Sequence, residues 1–138
     1  MRIGSPILLV EDDRVDVMTV KRALKELHVT NELLVAGNGE EALSVLRDNN
    51  ARQPCIILLD LNMPKMNGIE FLRIVKQDSD LKKIPVVVLT TSKDEQDKLA
   101  SFENSVAGYM IKPVDYTKFV ETIRVIELYW TLNELPGL

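Results

Sequence analysis

The feature that most constrains this chain is a run of four aliphatic residues, Ile56-Ile57-Leu58-Leu59, that stops on a carboxylate, Asp60. A short unbroken apolar run bounded by turn residues reads as a strand buried on both faces. Asp60 then sits at the carboxyl end of a central parallel strand, and Asn62, Pro64 and Gly68 mark the loop before the next helix. In open α/β sheets, ligands sit in the crevice outside the carboxyl ends of the strands. Alone, Asp60 reads as a turn or capping residue. The other strand ends reverse that balance.

Ile7-Leu8-Leu9-Val10 is a second buried run, and it meets Glu11-Asp12-Asp13. A helix follows, with Val17, Val20, Leu24 and Leu27 on one face. Asn31 to Ala36 is the next predicted strand. Asn38 with Glu41 three residues on has the form of a capping box and starts the second helix. Gly68 to Lys76 forms the third helix, and Pro85-Val86-Val87-Val88-Leu89 runs as a strand into Thr90-Thr91-Ser92. Ser92 and Glu95 predict a capping box for the fourth helix. Ala107 to Ile111 runs into Lys112-Pro113, and Asp115 caps a last helix reaching about Thr131. Strand and helix alternate throughout. The expected fold is α/β, a doubly wound five-stranded parallel sheet of flavodoxin-like order 2-1-3-4-5, with its switch point between strands one and three.

The 138 residues suit one domain, 1–138, with a C-terminal tail from about 132 to 138. No apolar run spans a bilayer and no signal peptide opens the chain, so the expectation is a cytoplasmic protein without a membrane role. A net charge of −4 with scattered basic residues argues against a nucleic-acid surface. The single cysteine, Cys55, leaves no multi-cysteine metal site and reads as a small core residue. His28 reads as an exposed residue at a helix C-terminus.

The fold places the polar strand ends, Glu11, Asp12, Asp60, Thr90 and Lys112, on one sheet edge. Three crowded carboxylates repel, and a hard divalent cation with oxygen ligands, Mg²⁺ (or Mn²⁺), relieves that. Asp13 is expected only to cap its helix. A carboxylate, a metal, a hydroxyl and an ammonium around one space describe a phosphoryl site, in which Asp60 carries the group as an acyl phosphate.

In order and spacing, Glu11-Asp12-Asp13, Leu59-Asp60-Leu61-Asn62-Met63-Pro64, Thr90-Thr91-Ser92 and Lys112-Pro113 resemble the receiver domain of two-component response regulators, from about Ile7 to Leu128. The resemblance implies that Asp60 is the phospho-acceptor and that Asp12, Asp60 and the Asn62 backbone carbonyl ligate the metal. It implies that Glu11 acts through metal-bound water, that Thr90 and Lys112 contact the phosphoryl group, and that Tyr109 is the switch aromatic. It also implies a cis Lys112–Pro113 peptide. Glu11 stands where Asp is commoner, and Thr91 where a smaller residue is usual, which narrows the entrance. With no output domain after residue 138, the chain resembles the stand-alone type. Within that type, Ile84 to Ser92 and the tail Tyr129-Trp130 with Leu135-Pro136 resemble the regulators paired with bacterial phytochrome kinases.

The function expected is a phosphorelay switch that accepts a phosphoryl group from a histidine kinase and signals to a downstream protein. It is not an enzyme beyond autophosphatase activity. Two rivals stay open: an aspartyl phosphatase, disfavoured because Asn62 stands where a general acid is needed, and a pseudo-receiver that takes no phosphate. On the last helix, Tyr116, Phe119, Val120, Ile123, Ile126 and Trp130 form the core stripe. Val125, Leu128, Tyr129 and Leu132 gather on the other side and predict a homodimer interface, unless Leu135 to Leu138 folds back over them.

Overall fold

The computed structural model describes residues 4–132. Five strands alternate with five α-helices: β1 (Ile7–Val10), α1 (Arg14–Glu26), β2 (Leu33–Ala36), α2 (Gly39–Leu46), β3 (Ile56–Leu59), α3 (Gly68–Gln77), β4 (Val86–Thr90), α4 (Glu95–Glu103), β5 (Gly108–Ile111) and α5 (Tyr116–Leu132). A short 3₁₀ turn, Leu81–Lys83, precedes β4. The strands are all parallel, in the order β2-β1-β3-β4-β5. The expected architecture therefore holds. The apolar tail Leu135 to Leu138 lies outside the described residues.

Every residue of β1, β3 and β4 is buried, because helices cover both sheet faces. Side chains alternate across the sheet. Leu8, Val10, Ile57, Leu59, Val86 and Val88 join Ala42, Leu43, Phe71 and Leu72 in one core. Ile7, Leu9, Ile56, Leu58, Val87 and Leu89 join Val20, Leu24, Ile123 and Trp130 in the other. The helix α4 belongs to neither, and among its residues only Ser101 is buried.

Local signals held at most helix starts. Asp13 caps α1 by accepting from the Val15 and Asp16 amides. Asn38 accepts from the Glu41 amide, and the Glu41 carboxylate reaches past the cap to the Gly37 amide at 2.7 Å. Asp115 accepts from the Thr117 amide at the start of α5. His28 is exposed just past α1, at φ 59°. Three expectations change. The cap of α4 is Asp94, not Ser92: Asp94 Oδ1 accepts from the Gln96 amide at 2.7 Å, while the Ser92 hydroxyl lies before the helix, accepting from the Asp94 amide and donating to Asp97 Oδ2. The strand β2 starts at Leu33, where its pairing with Ile7 of β1 begins; the Asn31 side chain donates to the Ser5 carbonyl. The Lys112–Pro113 peptide is trans, the form that X–Pro bonds favour intrinsically. A full capping box, Asn67 with Glu70, starts α3 where no cap was expected.

Candidate functional site

Register puts the polar residues together. Val10 pairs with Leu59, so Glu11 and Asp60 leave the sheet side by side, with the Asp60 amide donating to the Val10 carbonyl at 3.0 Å. Thr90 pairs with Ile111, and the Lys112 amide donates to the Thr90 carbonyl at 2.8 Å. Four strand ends thereby converge on one edge.

Asp60 is 7% exposed and Glu11 3%. The Thr90 hydroxyl, fully buried, donates to Asp60 Oδ1 at 2.7 Å. The Asn62 amide lies 3.4 Å from the same oxygen. Lys112 Nζ lies 3.6 Å from Asp60 Oδ2 and donates to Glu11 Oε1. Carboxylate oxygens of Glu11, Asp12 and Asp60 all fall within 4.8 Å of one another, with Asp12 exposed at the mouth. Only oxygen donors are offered, which suits a hard divalent cation and not zinc.

The electrostatics agree with that fit. Burial pushes the Glu11 carboxyl up to about 7; the Lys112 hydrogen bond opposes this and the Asp60 charge adds to it. Burial also disfavours the Lys112 ammonium, but the hydrogen bonds it donates to Asp16 and Glu11 outweigh this and hold Lys112 above its ordinary value. Burial is the chief cause and the neighbouring Asp60 charge a lesser one, and a cation bound among these acids would favour their ionised forms.

Asp16 was not foreseen. Its Oδ2 accepts from Lys112 Nζ at 2.8 Å, so three carboxylates, those of Glu11, Asp16 and Asp60, surround one ammonium. In the sequence, Asp16 reads only as a first-turn acid favoured by the helix dipole. Its side chain meets Lys112 across 96 residues, and no local pattern encodes that.

The remaining predicted residues fall nearby or apart. Tyr109 is half-buried against the α2–α3 core, and its hydroxyl donates to the Ser92 carbonyl at 3.0 Å. Thr91 is exposed and lines an open groove of about 440 Å³ with Val15, Asp16, Lys112 and Val114. Val125, Leu128, Tyr129 and Leu132 are all exposed and line one shallow depression on the outer face of α5. The core stripe of α5 is as expected, with Phe119, Val120, Ile123, Ile126 and Trp130 buried and Tyr116 half-buried. No helix among the described residues is long and apolar enough to cross a membrane.

The profile of the response regulator receiver domain matches residues 7–124. The response regulator Rcp1 of Synechocystis sp. is 41% identical over 128 residues, covering 90% of this chain and 87% of that protein. The crystal structure of the phosphorylated cyanobacterial phytochrome response regulator RcpA superposes with a TM-score of 0.90 at 37% identity, over 97% of this chain and 99% of that one. The Mn²⁺-bound form of Rcp1 gives a TM-score of 0.87 at 40% identity, over 96% and 99%.

Proposed function

Because this chain belongs to the response regulator receiver family and so to phosphorelay signalling, we propose that Asp60 is its phospho-acceptor. The observation that carries this is the setting of Asp60. It is a buried carboxylate with the Thr90 hydroxyl on one oxygen at 2.7 Å and the Lys112 ammonium 3.6 Å from the other. In the transfer, an Asp60 oxygen bonds to phosphorus as the P–N bond to the donor's histidine breaks, and the departing imidazole nitrogen takes a proton from water. Lys112 pairs with one phosphoryl oxygen and Thr90 donates to another. Thr90 already donates to Asp60, so phosphorylation changes the acceptor of that hydrogen bond. The rearrangement reaches Tyr109 through the Ser92 carbonyl at the start of the β4–α4 loop.

Asp12, Asp60 and the Asn62 backbone carbonyl would ligate Mg²⁺ or Mn²⁺, with Glu11 acting through bound water. The cation, when bound, offsets negative charge on the acceptor and the transferring oxygens. The likeness to RcpA, described as a cyanobacterial phytochrome response regulator, supports a bacterial phytochrome-type histidine kinase in the cytoplasm as donor. The receiver turns over only its own acyl phosphate. A second copy of the chain docks through Val125, Leu128, Tyr129 and Leu132.

The test is phosphoryl labelling by acetyl phosphate with Mg²⁺. Wild type should label in an acid-stable, base-labile form, and Asp60→Asn should not label while remaining folded. Undiminished labelling of Asp60→Asn would move the acceptor elsewhere. Steady turnover of p-nitrophenyl phosphate would favour a phosphatase.

A further inference from the structure

We propose that Asp16 is the positioning residue for Lys112. It fixes the ammonium at the mouth of the Asp60 site through a contact that belongs neither to the acceptor nor to the metal-binding acids. This rests on the phospho-acceptor reading above and adds a residue to it.

Lys112 Nζ has three hydrogens to donate. Its neighbours are Glu11 Oε1, Asp16 Oδ2 at 2.8 Å and Asp60 Oδ2 at 3.6 Å. Two of these, Glu11 and Asp60, belong to the carboxylate cluster within 4.8 Å that suits a divalent cation. Asp16 is outside that cluster. A cation added among Glu11, Asp12 and Asp60 competes with the ammonium for the same carboxylates, whereas the ammonium's contact with Asp16 stays available. A lysine side chain has several rotatable bonds and loses considerable rotamer freedom when held. Here the Lys112 side chain is only 8% exposed and that of Asp16 is 37% exposed, so Asp16 holds it from the solvent side of the site.

Asp16 is itself well placed for this. It lies in the first turn of α1, and its amide donates to the capping Asp13 at 3.2 Å. The helix start thereby fixes the backbone from which the carboxylate reaches toward the end of β5. The competing view, that Asp16 merely favours the α1 dipole, predicts no dependence on Lys112.

Beryllofluoride, a phosphoryl mimic, serves as the probe with Mg²⁺, titrated by ¹⁹F NMR in wild type, Asp16→Asn, Asp16→Glu, Lys112→Ala and the Asp16→Asn/Lys112→Ala pair. Mg²⁺ alone is titrated in parallel. Asp16→Asn should weaken beryllofluoride binding by about tenfold while changing Mg²⁺ affinity by less than about threefold. Asp16→Glu should recover most of the loss, and in the Lys112→Ala background Asp16→Asn should add nothing. Unchanged beryllofluoride affinity in Asp16→Asn, or a further tenfold loss in the pair, overturns the assignment. Failure of the wild type to bind beryllofluoride would instead bring down the acceptor reading, and this inference with it.

Discussion

The Thr90 hydroxyl and the Asp60 carboxylate form a buried hydrogen bond of 2.7 Å between the ends of two neighbouring strands. A buried carboxylate stripped of a donor carries a desolvation cost of about 1–3 kcal/mol. Thr90→Val keeps the shape and removes the donor. The metal-free variant should therefore lose about 1–3 kcal/mol in urea unfolding, whereas Thr90→Ser should lose less. A Thr90→Val protein as stable as wild type would show that Asp60 does not depend on this donor.

Glu11 links the site to pH. Its carboxyl is raised to about 7, chiefly by burial. Between the ordinary carboxylate range and about 7, the folded state keeps a proton that the unfolded chain has lost. This group therefore makes the metal-free protein less stable as pH rises through that window. A cation at the cluster needs the ionised form, so apparent Mg²⁺ affinity should be about tenfold weaker at pH 6 than at pH 8. Calorimetric titration at the two pH values is the check, and Glu11→Gln should flatten the dependence. An equally steep profile in Glu11→Gln would place the titration on another group.

Trp130 is the sole tryptophan. It is buried in the α1–α5 core, 14 residues along α5 from Tyr116, which corresponds to about 20 Å of helix. The helix runs away from the site, so Mg²⁺ should leave the Trp130 emission intensity nearly unchanged. Strong quenching that persists in a monomeric variant would contradict this placement.

The outer face of α5 exposes Val125, Leu128, Tyr129 and Leu132 within two turns. A closed two-fold contact needs one such patch per subunit, and burying it contributes about 25 cal/mol per Å² of apolar area before association costs. Light scattering should show a dimer for wild type at high micromolar concentration, and monomers for Leu128→Glu and Tyr129→Glu. Monomeric wild type, both free and with beryllofluoride and Mg²⁺, would sink the dimer.

Much of this protein was legible in its sequence, for local reasons. Unbroken aliphatic runs at Ile7–Val10, Ile56–Leu59 and Val86–Leu89 can only be covered on both sides, which demands a parallel sheet with helices on each face. Once the sheet is parallel, the residues following those runs and the strand Gly108–Ile111 must share one edge, which brings Glu11, Asp12, Asp60, Thr90 and Lys112 to the same side. Asp13 and Asn38 cap their helices through bonds spanning two or three residues, which is why they could be read directly.

Other features were settled only by side chains meeting across the chain. Asp94, not Ser92, caps α4, because the helix starts at Glu95 and the Asp94 carboxylate takes the Gln96 amide, leaving the Ser92 hydroxyl to the Asp94 amide and Asp97. Leu99 and Phe102 of α4 are both exposed, because α4 packs few of its side chains against the sheet. Asp16 looked like a dipole-favoured acid and became a partner of Lys112, 96 residues away. Periodicity records which face of an element is apolar, so it could determine the sheet and its edge. It does not record which polar groups from distant elements compete for one ammonium, and that is decided only when burial forces each of them to find a partner.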